Sequence, residues 1–133
     1  MSKFKFSAGP WNVHSGADSY GPATRKEIDF DTKLAKFAEL GFSAVQFHDD
    51  DAVPNINSYT EEEIKEKARE LKKKLDHYGL AAEFVAPRLW MDPHTADGGF
   101  MSTSEKDREY AMWRAYRSID IANELGASMI VLW

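Results

Sequence analysis

The sequence predicts an α/β protein of about four parallel strands with three intervening helices, on three observations. Short apolar runs alternate with longer amphipathic stretches in the order strand, loop, helix, and the last run, residues 127–133, has no helix after it. Each helix-to-strand link is very short and centres on a glycine, Gly41, Gly79 or Gly126, the residue that most readily ends a helix in a left-handed conformation. Each strand-to-helix link is instead longer and carries unusual side chains. Strands joined through helices run parallel, and their ligands gather beyond the carboxyl ends, where the strand-to-helix loops meet.

The first strand is expected at residues 4–9, where Phe4, Phe6 and Ala8 alternate with polar neighbours. A Gly/Pro/Asn/Ser-rich stretch, 10–26, follows. Asp31 is the expected N-cap of a short helix that turns Leu34, Phe37, Ala38 and Leu40 inward and ends at Gly41. Residues 42–47 form the second strand, which runs into His48, Asp49, Asp50 and Asp51. Thr60 and Glu63 have the spacing of a capping box, and Ile64, Ala68, Leu71, Leu75 and Tyr78 form one apolar stripe behind it. Residues 80–86 form the third strand, and a loop to about Thr103 contains Trp90 and the run Asp97, Gly98, Gly99, Phe100. The third helix is expected over 105–125, burying Met112, Ala115, Ile119, Ala122 and Leu125. A closed barrel of eight such units needs roughly 250 residues. The 133 residues therefore read as one partial domain, 1–133, the N-terminal half of a (β/α)₈ TIM barrel completed by a missing C-terminal half.

Composition excludes several classes. The net charge of −5 gives no basic face for phosphates, so no nucleic-acid partner is expected. The absence of cysteine removes disulfides, thiolate chemistry and the commonest structural zinc ligand. No apolar run is long enough for a leader or a membrane span, and a cytoplasmic protein with no membrane partner is expected.

The sharpest cluster is His48 with the three following aspartates. Asp51 is near enough along the turn to accept a proton from one ring nitrogen, which leaves the other free as acid or base. Alternatively the acids only solvate a turn and cap the next segment. A metal site is disfavoured because no second matching cluster exists. Trp11, Trp90 and Trp133 each fall at or beyond a strand end, where their indoles would form a flat wall suited to the C–H face of a sugar. The alternative is ordinary core packing, the reading given to Trp113. His14, His77 and His94 read as loop or surface residues, and the Lys72, Lys73, Lys74 run as a solvated helix face.

Taken in order, four stretches resemble xylose isomerase of the shorter, actinobacterial-type class: residues 6–13, 41–51, 97–100 and 121–127, with the Phe47-His48-Asp49-Asp50-Asp51 motif the most specific. The resemblance spans essentially all of this chain but only about the first third of a full family member. It implies a tetrameric barrel that interconverts D-xylose and D-xylulose, and often D-glucose and D-fructose. It further implies that His48, oriented by Asp51, assists ring opening, and that Trp11, Trp90 and Trp133 line the sugar pocket, with Trp133 flanking the hydride path. Tyr20 corresponds to an aromatic inserted into a neighbouring subunit's active site. The implied cofactors are two divalent ions, Mg²⁺ or Mn²⁺, with Co²⁺ a further candidate, liganded by residues absent from this chain. Trp90 stands where this class usually has Phe, and Val85-Ala86-Pro87 where it has a Thr-rich strand end, so pentose-versus-hexose preference is open. A second reading is a non-catalytic, self-associating half-barrel. Sugar epimerases and phosphodiesterases acting at damaged DNA share the barrel, but the acidic charge and the His-Asp-Asp-Asp motif disfavour both.

Overall fold

The computed structural model describes residues 4–16 and 22–132. Four strands, β1 (Ser7–Ala8), β2 (Ala44–His48), β3 (Ala81–Ala86) and β4 (Met129–Ile130), form one sheet in the order β1-β2-β3-β4. Every neighbouring pair is parallel, with Ala44 opposite both Ser7 and Ala81, and Val85 opposite Ile130. Sequential order with every crossover helical is the curling wall of a barrel, so the structure is an α/β half-barrel. The formal strands β1 and β4 are shorter than the apolar runs predicted. Further backbone bonds lengthen the ladders, from Ser43 N–H to Phe6 O at 2.8 Å and from Val131 N–H to Val85 O at 3.1 Å.

The helices are α1 (Phe30–Glu39), α2 (Asp49–Ala52), α3 (Glu61–Tyr78) and α4 (Glu105–Leu125). The capping box at Thr60 and Glu63 starts α3, and Gly79 and Gly126, both at positive φ, cap α3 and α4. Helix α1 starts two residues earlier than expected, because Asp29 is the cap and accepts from Thr32 N–H at 3.1 Å. Asp31 sits inside the first turn and pairs with Lys74 at 2.9 Å. The core lies between sheet and helices, where Val45, Phe47 and Val85 share a cluster with Leu34, Ile64 and Leu75.

Helix α4 buries Ala115, Ala122 and Leu125 as the apolar period predicts, and departs from it at two positions. Met112 and Ile119 are 43% and 42% exposed, whereas Ala111, Arg114, Ser118 and Ile121 are buried. Arg114 turns inward to meet two carboxylates, Asp49 and Asp92, on the same face of the helix that buries Ile121, Ala122 and Leu125. No helix among the described residues is long and apolar enough to cross a membrane.

Candidate active site

His48 ends β2 and serves as the N-cap of α2, so the strand delivers its ring to the carboxyl edge of the sheet. One turn of helix then brings Asp51 back over it. Asp51 Oδ2 lies 2.9 Å from His48 Nδ1 and accepts the His48 backbone N–H at 3.3 Å. The three aspartates fall in the first turn of α2, where the helix N-terminus favours negative charge.

Two arginines from distant elements hold this turn. Arg88, just past β3, donates its backbone N–H to Asp49 at 3.0 Å and its Nε–H to Asp50 at 2.9 Å. Its Nη2 lies 2.7 Å from Asp51 Oδ1 and 2.9 Å from His48 Nδ1. Arg114, on α4, grips the fully buried Asp49 with both prongs, at 2.6 and 2.7 Å, and reaches Asp92 at 2.9 Å. Asp92 also accepts from Tyr110 Oη at 2.6 Å and lies 2.8 Å from His94 Nδ1. Burial works against the charge on Arg114, but the hydrogen bonds and negative charge of Asp49 outweigh it and raise its pKa further. The three acids therefore do different work: Asp49 anchors the turn, Asp50 clamps Arg88, and Asp51 addresses the imidazole.

A cleft of about 1300 Å³ opens over His48, lined by Trp11, Gln46, Phe84, Arg88 and Trp90 among others. That exceeds the roughly 300–1,000 Å³ of a typical ligand pocket, as expected of a concavity walled on one side. The Trp11 ring lies 4.3 Å from the His48 ring, and Trp90 meets it edge-on at 5.0 Å. The structure thus brings together His48, Asp51, Trp11 and Trp90, whereas Trp133 and Tyr20 lie outside the described residues. His14 lies in a loop, as expected, and lines the cleft, its Nδ1 accepting the Gly16 N–H at 2.9 Å. Lys33, 7% exposed and paired with Glu27 at 3.0 Å, forms another part of the wall. Beside the cleft, the Gln46 amide donates to Ser7 Oγ and to Glu83 Oε2, both at 2.9 Å, and the Ser7 hydroxyl donates to Glu83.

A family model described as a xylose isomerase-like TIM barrel matches residues 34–133. The chain belongs to that family. The match covers His48, Asp51, Arg88 and Trp90, while Trp11 precedes it. As a xylose isomerase-like barrel, the chain has its cleft where the architecture puts active sites, at the carboxyl ends of the strands. Membership reaches the level of a sugar isomerase-like superfamily and leaves the individual substrate to the site.

Among the described residues no three His, Asp or Glu side chains gather so as to hold a metal ion. They do not fit a two-metal centre. Burial pushes the Asp51 carboxyl up, but the hydrogen bond from His48 and the Arg88 charge outweigh it, leaving its pKa below the usual aspartate value. Asp50 moves the other way: burial raises it, helped by Asp49 and Asp51, with Arg88 opposing.

A depressed carboxylate contributes stability that is present above its unfolded pKa and is lost as pH falls through its folded pKa. Asp51 should therefore make the fold sensitive to acid below about pH 4. Asp51→Asn should flatten the dependence of unfolding free energy on pH in that range, as read by urea titrations. An unchanged acid slope would remove Asp51 from the account.

Sequence reasoning did not find Arg88, Arg114, Asp92 or Tyr110. Each arginine meets its carboxylates across more than twenty positions of sequence, and no local spacing marks such a pair.

Proposed function

We propose that this chain is the N-terminal half of an aldose–ketose isomerase acting on D-xylose, with D-glucose as a second substrate, and that it works only with the C-terminal half of the barrel. One observation carries the reading: His48 and its Asp51 partner stand at the carboxyl end of β2 between two indole rings in an open cleft. The indoles offer apolar faces to the C–H groups of a sugar, and the imidazole offers one nitrogen to its oxygens. With Nδ1–H donated to Asp51, Nε2 accepts the proton of the anomeric hydroxyl. The C1 carbonyl forms as the bond from C1 to the ring oxygen breaks, and the ring oxygen takes a proton in return. Asp51 stabilises the imidazolium between those two transfers. Divalent ions, held by residues of the completing half, would polarise the sugar oxygens for the hydride shift that completes isomerisation, in the tetramer that the resemblance to xylose isomerase implies.

The test is complementation. This chain, mixed with a C-terminal barrel half in Mg²⁺ or Mn²⁺, should convert D-xylose to D-xylulose, and neither half should do so alone. A mixed complex of the correct mass that turns over neither xylose nor glucose would defeat the reading.

A second reading, a self-associating half-barrel without catalysis, draws on the two outer strands. In the described sheet β1 and β4 each have one neighbour, and Met129 in β4 and Phe6 and Leu132 close to the strand ends are exposed. A native mass that is a multiple of this chain, unchanged by the second half, would favour it.

A further inference from the structure

We infer that Arg88 is a positioning residue that competes with Asp51 for Nδ1 of His48 and so gives the ring a population protonated at Nε2. A guanidinium only donates hydrogen bonds and stays charged, whereas a carboxylate only accepts them. Both stand 2.9 Å from the same ring nitrogen. Asp51 is satisfied by a proton on Nδ1, and Arg88 by a lone pair there. Arg88 is not free to swing away, because its Nε is held by Asp50, its Nη2 by Asp51 and its backbone N–H by Asp49. Nη2 carries two hydrogens, so one can remain on Asp51 Oδ1 while the other faces Nδ1. The other charged or titratable groups of this turn and cleft are Asp49 and Asp50 on α2 and Lys33, Glu27, Asp29 and His14 on the cleft wall. None of these has a hydrogen bond to Nδ1 among the described residues.

The consequence deepens the isomerase reading and, for its catalytic meaning, rests on it. With Asp51 alone, Nε2 of the neutral ring is only a base. With Arg88 holding the Nδ1 lone pair, Nε2–H can donate to the ring oxygen of a cyclic sugar. Opening the ring needs both a donor to that oxygen and an acceptor from the anomeric hydroxyl, and the opposed partners at Nδ1 make one imidazole available in either form.

Nitrogen-15 NMR of the uniformly labelled chain, at a pH above imidazole titration, separates the two neutral tautomers of His48. The wild-type ring should carry a substantial Nε2–H share, and Arg88→Met should lower the ratio of Nε2–H to Nδ1–H by on the order of tenfold, the weight of a charge-assisted hydrogen bond. A wild-type ring found only as Nδ1–H overturns the inference without any variant, and so does an Arg88→Met ring with the wild-type ratio. If Arg88 merely anchored the loop, the tautomer ratio would not follow its side chain. Because the tautomers are read without turnover, a mixed ring in an inactive completed barrel would defeat the isomerase reading and leave the role of Arg88 standing.

Discussion

Arg114→Leu is expected to destabilise the fold by about 3–5 kcal/mol, because it leaves a carboxylate buried without its countercharge. Asp49 has no exposed surface, and Arg114 supplies two of its hydrogen bonds at 2.6 and 2.7 Å. What remains to Asp49 is the backbone N–H of Asp50 and of Arg88, each at 3.0 Å, which cannot neutralise it. Asp92 loses a partner in the same substitution. Urea unfolding measures the change. Pairing Arg114→Leu with Asp49→Asn should recover part of the loss, since the amide needs no countercharge. A single variant within about 1 kcal/mol of wild type, the scale of an exposed pair, would mean that the ion pair contributes no more than a surface contact.

His48→Asn is expected to lower turnover of D-xylose in the completed barrel by about 10²–10⁴-fold, the usual contribution of a positioned acid–base group. On the proposed reading the loss should fall on kcat rather than on sugar affinity, because Trp11 and Trp90 still line the cleft. Steady-state kinetics with D-xylose, beside a fluorescence titration of the tryptophans with the non-isomerised xylitol, separates the two effects. If the variant kept roughly a tenth or more of the wild-type kcat, less than the smallest loss a proton-transfer group brings, His48 would not be that group.

The two substitutions act on one construction at different depths. Arg114 and Asp49 fix the turn that follows β2, and that turn sets where Asp51 meets the imidazole. Burial of the first pair is structural. The half-exposed position of Trp90, with 51% of its surface open, keeps the His48 side of the cleft accessible to a ligand.

The sequence by itself determined what depends on neighbours along the chain. The Thr60–Glu63 box and Gly79 bound α3, and Gly126 ended α4 at the expected residue, because caps are chemistry between positions a few residues apart. The parallel order and the placing of His48 and Asp51 at a strand end followed from the same local periods. Asp29 displaced Asp31 as the cap of α1 because both residue types suit the position, and backbone geometry chose between them. Only the tertiary structure decided the edge of the buried face of α4, where Ala115, Ala122 and Leu125 went inside as expected but Arg114 and Ser118 joined them and Met112 and Ile119 stayed outside. It alone assembled Arg88 against the His48 turn and Arg114 against Asp49. Charges 38 and 65 positions apart attract only once folding has brought them into contact and removed the water between them, so no spacing in the sequence records the pairing.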